Sequence, residues 1–229
     1  MQTAPTTRYL LRKDANGQQR CNAPRCMHLR YGLEVHCRKH YDTARRYGHP
    51  TAGPLKAAAV APYLADVRKL WSMASNAGHE GLSFATSWAD SLLAKGASNC
   101  LSFAGGLEMQ RLVEAGITGR QMLESVVGVA LYLQSHPEAL PSDKSRDFSL
   151  ARAAFLLAPQ RLKVSYASGR QTTYRAKPRR SGLLHLGREF RVNLAGLIAI
   201  TQLGVEGMRI KASRSAAEVA AARSTPFAS

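Results

Sequence analysis

Three of the four cysteines in this 229-residue chain fall between positions 21 and 37, and a histidine follows three places after the last of them. The spacing, Cys21-x4-Cys26-x10-Cys37-x2-His40, limits what this part of the chain can fold into more than any other feature. Zn²⁺ takes four soft or borderline donors at the corners of a tetrahedron, and two close pairs joined by a loop of about ten residues can supply them. Cys21, Cys26, Cys37 and His40 are therefore the expected ligands of one structural zinc ion. His36, directly before Cys37, is the rival for the fourth position, but it points to the other side of its neighbour. A site closed by four protein ligands has no place for a reacting water, so no catalysis is expected at the metal.

The residues between the ligand pairs alternate. Met27, Leu29, Tyr31, Leu33 and Val35 fall on one parity, interrupted by Gly32, which is the spacing of a small β-hairpin. From Cys37 the period becomes helical. Cys37, His40, Tyr41, Ala44 and Tyr47 share one face, and Gly48 is placed to end the helix. Arg38, Lys39, Asp42, Arg45 and Arg46 take the opposite face. The expectation is a ββα-like module over residues 20–50. About thirty residues cannot bury enough apolar surface alone, so the metal cross-links them while four cations face outward.

Taken together, Cys21, Cys26, Gly32, Cys37, His40, Tyr41, Arg45, Gly48 and Pro50 resemble a small zinc-binding module of phage and mobile-element proteins, often found beside HNH or homing-endonuclease-like domains. The resemblance covers about residues 20–50. It implies a DNA-associated role and a phage or mobile-element origin. The nuclease partner of such modules needs a histidine general base, an asparagine and a further histidine for a catalytic metal. Outside the module, His79, His136 and His185 stand singly, and none has a neighbouring His, Asp or Asn arranged as a ββα-metal site.

Charge is segregated along the chain. Residues 1–56 hold 11 Lys/Arg against 3 Asp/Glu (+8), residues 57–145 hold 6 against 8 (−2), and residues 146–229 hold 15 against 4 (+11). Two basic ends around a near-neutral middle point to polyanion contact at both ends. Between Arg161 and Arg191 there are nine Lys/Arg and one acid, Glu189, interleaved with Tyr166, Tyr174 and several hydroxyl residues. That mixture suits phosphate contact and base stacking, and it adds Arg170, Arg175, Lys177, Arg179, Arg180 and Arg188 to the candidate nucleic-acid contacts.

The rest reads as mainly α with a small β component. Residues 1–19 look like a flexible basic arm, 51–60 like a linker, and 61–211 like a helical domain; 212–229 look like a disordered tail. In the domain, Pro62 is placed at the first turn of a helix bearing Leu64, Val67, Leu70, Trp71 and Ala74. Phe84, Trp88, Leu92 and Leu93 share a face of the next helix. Thr118 with Gln121 makes a capping box. Alternation about Ser168-Gly169-Arg170 predicts a β-hairpin near 162–175, and a helix through Leu183, Leu186, Phe190, Leu194 and Leu197 follows. The helix-turn-helix rhythm of RLVEAGITGRQMLESVV carries only Arg120 as a cation on its second helix, which fits core packing. Cys100 reads as a buried small apolar residue.

There is no signal-peptide pattern and no apolar run near the ~18 residues of a membrane span, which places the chain in a reducing, cytoplasmic setting, on the nucleoid when DNA-bound. The leading expectation is a non-enzymatic, zinc-containing protein that binds nucleic acid, DNA ahead of RNA, as a phage or mobile-element regulator or accessory factor. The alternatives are an HNH-like nuclease with an unrecognised site, and an adaptor or inhibitor that binds a host protein through the helical domain.

Overall fold

The computed structural model describes residues 5–73, 76, 78–98, 106–159, 162–167, 170–175 and 180–224. The chain is mainly helical. Helix α1 spans Pro5–Gly17, α2 Arg38–Tyr47, α3 Ala57–Ser72, α4 Glu80–Ala97, α5 Gly106–Glu114 and α6 Gly119–Ser135. A 3₁₀ turn at Pro137–Ala139 leads to α7, Asp143–Phe155. Strands β1 (Leu162–Ala167) and β2 (Arg170–Arg175) pair antiparallel, with Leu162 opposite Arg175 and Ala167 opposite Arg170. Helices α8 (Arg180–Asn193) and α9 (Ala195–Ser224) follow. No described helix is long and apolar enough to cross a membrane.

Helix α6 is the axis of the core. Thr118 caps it with the reciprocal Gln121 bonds that the spacing predicts, and Met122, Leu123, Val126, Val127, Val129 and Leu131 are buried along it. Helices α3, α4 and α7 pack around it. Gly128 gives α3 room, since a Cβ there would lie 3.1 Å from the Leu64 Cα. On α3, Val67, Leu70 and Trp71 are buried, and Trp71 Nε1 donates to Thr201 Oγ1 of α9 at 3.3 Å. Arg120 donates to the Trp71 carbonyl at 2.9 Å and pairs with Glu124, so the second helix of the helix-turn-helix rhythm spends its cation inside the domain.

Helices α7 and α8 make the closest crossing. A Cβ at Gly187 would overlap the backbone carbonyl of Asp147. One turn later, Arg191 Nε donates to Asp147 Oδ1 at 2.6 Å and Nη2 to Oδ2 at 3.3 Å. The buried Asp147 carboxylate, then burial and Asp143, set the Arg191 guanidinium, and the net effect raises its pKa above the ordinary arginine value.

Several boundaries differ from the sequence expectations. Residues 5–17 form α1 where a loose arm was expected; Tyr, Leu, Arg and Lys are adequate helix formers, and Asn16 at its end donates to the Gly32 and Glu34 carbonyls. Helix α3 begins at Ala57, so Pro62 lies inside it and not at its first turn; AAAVA is a strong enough start to carry the helix past one missing N–H. The expected linker is partly core, with Ala52 buried and Leu55 packed against the domain. Phe84 is 76% exposed, because Leu82, Ala85 and Ala89 form the inward face of α4 instead. The expected disordered tail continues α9 to Ser224, as its alanine content favours. Ala74 and Cys100 lie outside the described residues.

Candidate metal centre

The first pair of ligands sits on a tight loop. The Cys21 N–H donates to the His28 carbonyl at 2.9 Å, and the Cys26 N–H closes a turn on the Ala23 carbonyl at 3.1 Å, with Arg25 in the left-handed region at φ 59°. The second pair belongs to α2. Cys37 is its N-cap, with extended ψ of 163°, and His40 lies within the first turn. Helix geometry thus sets Cys37 and His40 side by side, while the loop brings Cys21 and Cys26 to them.

The four ligand atoms all lie within 4.8 Å of one another, and these residues can hold a metal ion. The individual separations are informative. His40 Nδ1 is 3.4 Å from Cys21 Sγ and 3.5 Å from Cys37 Sγ, and Cys26 Sγ is 3.9 Å from Cys37 Sγ. Zn–S bonds of about 2.3 Å and Zn–N bonds of about 2.0 Å imply tetrahedral edges of about 3.8 Å for S–S and about 3.5 Å for S–N. A disulfide would need about 2.05 Å between sulfurs, and all three thiols are free. His36 Nδ1 lies 3.9 Å from Cys21 Sγ but is not part of the mutually close group.

Electrostatics prepare the ligands unequally. Burial opposes ionisation of Cys21, but the Cys37 and Ala23 N–H groups and the rings of His40 and His36 outweigh it and lower its pKa to about 5. Cys26 moves the other way. The His28 N–H favours its thiolate, yet burial and the neighbouring sulfurs of Cys21 and Cys37 prevail and raise it. Metal uptake near neutrality should therefore release a proton from Cys26, whereas Cys21 is already ionised.

The module has almost no core besides its ligands. Cys21, Ala23 and Cys37 are its buried cluster, with Cys26 half-buried against them, and α2 buries no residue. The alternating run does not form the β-hairpin expected: among the described residues, 20–37 contain one isolated bridge, Arg20 to Leu29. Tyr31 N–H bonds to the His36 carbonyl and Glu34 N–H to the Tyr31 carbonyl, a compact turn with Gly32 at φ +59°. Met27, Leu29, Tyr31, Leu33 and Val35 are all exposed, because among the described residues no second layer covers them. The module is a loop and a helix, not ββα.

Arg30 supplies order that the sequence did not advertise. Its guanidinium donates to the Arg20 carbonyl at 3.1 Å, Asn16 Oδ1 at 3.2 Å, Asn22 Oδ1 at 2.8 Å and Gln19 Oε1. It fastens the end of α1 to the ligand loop. At the other end, α2 is joined to the helical domain. Tyr47 meets Phe148 edge-on with ring centroids 6.2 Å apart, and Gly48, at φ +78°, lies so close to α7 that a Cβ would be 2.8 Å from the Lys144 carbonyl.

The outer side of α2 carries the expected cations. Arg38, Lys39, Arg45 and Arg46 are exposed, and no carboxylate pairs with any of them among the described residues. Arg38 lies 5.0 Å from the Tyr31 ring centroid and Arg45 5.5 Å from that of Tyr41, while the two rings are 6.0 Å apart. Two of the four cations thus lie against aromatic rings, Arg38 on exposed Tyr31 and Arg45 on half-buried Tyr41. Of the C-terminal candidates, Arg170 and Arg175 stand at the two ends of β2, Arg180 opens α8 and Arg188 is exposed on it; Lys177 and Arg179 lie outside the described residues. Comparison of the chain with protein-family models, characterised proteins and solved structures finds no match.

Proposed function

We propose that the chain is a non-enzymatic nucleic-acid-binding protein in which one structural Zn²⁺, held by Cys21, Cys26, Cys37 and His40, folds the N-terminal module and presents α2 to a phosphate backbone. DNA is the preferred partner, and a regulator or accessory factor of a phage or mobile element is the role that the resemblance of the module supports. Zinc is supported by the donor set: three sulfurs and one imidazole nitrogen, all within 4.8 Å of one another. The observation that carries the binding reading is the outer face of α2, where four unpaired cations stand opposite the ligand face. Unpaired surface guanidinium and ammonium groups on one rigid helix are the usual means of gripping a polyanion, and the stacked Arg38 and Arg45 forfeit little side-chain freedom on contact. The basic segment around β2 and α8 supplies a second contact region, including Arg170, Arg175, Lys177, Arg179, Arg180 and Arg188.

Fluorescence anisotropy of a labelled duplex across a salt series tests this directly. Each neutralised phosphate adds about −0.9 to the slope of log K against log salt. Arg45→Ala/Arg46→Ala should weaken binding by about tenfold or more and flatten that slope by about two. An unchanged slope and affinity would remove α2 from the interface. The same titration on single-stranded DNA and on RNA ranks the partners. Nicking of plasmid by purified protein with Mg²⁺ or Mn²⁺ would replace the non-enzymatic reading with a nuclease.

A further inference from the structure

Helix α9 is apolar on two opposite sides. Its inner side packs on the domain through Leu194 just before it, then Ile198, Thr201 and Val205, with Gly204 against Leu70. Its outer side carries Ile200 (51% exposed), Leu203 (70%) and Ile210 (53%). Large apolar side chains repeated along one exposed helix side mark a surface that a partner covers. The outer residues are not scattered: Ile200, Leu203, Gly207, Ile210, Arg214 and Ala217 recur at alternating spacings of three and four, the seam of a helix pair.

Two further features belong to the same seam. A Cβ at Gly207 would meet nothing within 4 Å, so the chain itself gives no packing reason for a residue that weakens a helix interior by about 1 kcal/mol relative to alanine. The charges beside the seam are of opposite sign. Glu206 lies on one flank and Lys211 on the other, while Arg209, turned inward, is taken by Asp66 at 2.6 Å. In a parallel helix pair the two flanks of a seam face each other, and in an antiparallel pair each flank faces itself. Only the parallel arrangement sets Glu206 of one copy beside Lys211 of the other, twice over by symmetry.

We propose that the outer face of α9 is a self-association surface, occupied by α9 of a second copy of this chain running parallel to it and in register over about two heptads, up to the charge at Arg214. This does not rest on the nucleic-acid reading. Sedimentation equilibrium of the full chain, freed of nucleic acid, should show a species of twice 24.9 kDa as concentration rises towards about 200 µM. Leu203→Asp should abolish it while leaving helical circular dichroism unchanged, since that side chain touches little in the monomer. Glu206→Lys should weaken association about tenfold, and adding Lys211→Glu should restore it. A chain that stays monomeric over this range, or a Leu203→Asp variant that pairs like the parent, overturns the surface. Failure of the double charge exchange to restore pairing overturns the parallel register.

Discussion

Stripping the metal with a strong chelator, or replacing Cys37 with Ser, is expected to unfold residues 20–46 and to leave the helical domain folded. Structural zinc in modules of this size contributes an apparent ~10–16 kcal/mol at neutral pH, more than a few small buried side chains can replace. Here the buried cluster is Cys21, Ala23 and Cys37, two of them ligands, so removing the ion removes the core itself. Metal analysis should find one zinc per chain in the parent and none in Cys37→Ser. Hydrogen exchange should become fast through the ligand loop and the first turns of α2, while α6 keeps its protection. Under the binding reading, duplex affinity falls in parallel. Slow exchange in residues 20–37 of metal-free protein would show that hydrogen bonds from Arg30 and Asn16 suffice, and that the ion is dispensable.

Replacing Gly187 with Ala should destabilise the domain by about 3 kcal/mol or more, the upper range for overpacking, because the added methyl falls on backbone and not on a side chain that can swing away. The sign decides the interpretation. In an ordinary helix interior, Gly→Ala stabilises by about 0.5–1 kcal/mol. Here the α7–α8 crossing must open, and opening it also pulls Arg191 off the buried Asp147 carboxylate. Thermal unfolding should show the midpoint falling by about 6–12 °C. A midpoint at or above the parent value would mean that the helices are farther apart than described.

The metal site was legible in the sequence because ligation needs particular residue types at particular separations, and few arrangements of Cys21, Cys26, Cys37 and His40 satisfy a tetrahedron. The helical middle was legible for a similar reason, since the Thr118 cap and the 3.6-residue recurrence along α6 specify it locally. Alternation between Met27 and Val35 misled because period two reports a strand only where a second surface exists to bury one face. With Cys21 and Cys26 gathered against Cys37 and His40 at the two ends of the loop, those side chains are left in water. Glycine roles were unreadable for the opposite reason: nothing near Gly187 in sequence reveals Asp147, forty residues away. The same holds for Arg30, whose partners run from Asn16 of α1 through Gln19 and Arg20 to Asn22, and for α1 itself, which borrows its anchorage from the loop after it.

Because the end of α2 is seated on α7 through Tyr47 and Gly48, the bearing of the cationic side relative to the domain is inherited from a short rod and not left to a hinge. Inserting a single residue between Arg46 and Tyr47 would turn that side by about 100° without removing any charge or any ligand. The chain thus aims its positive surface by counting residues, and a change in length there is as disruptive as a change in chemistry.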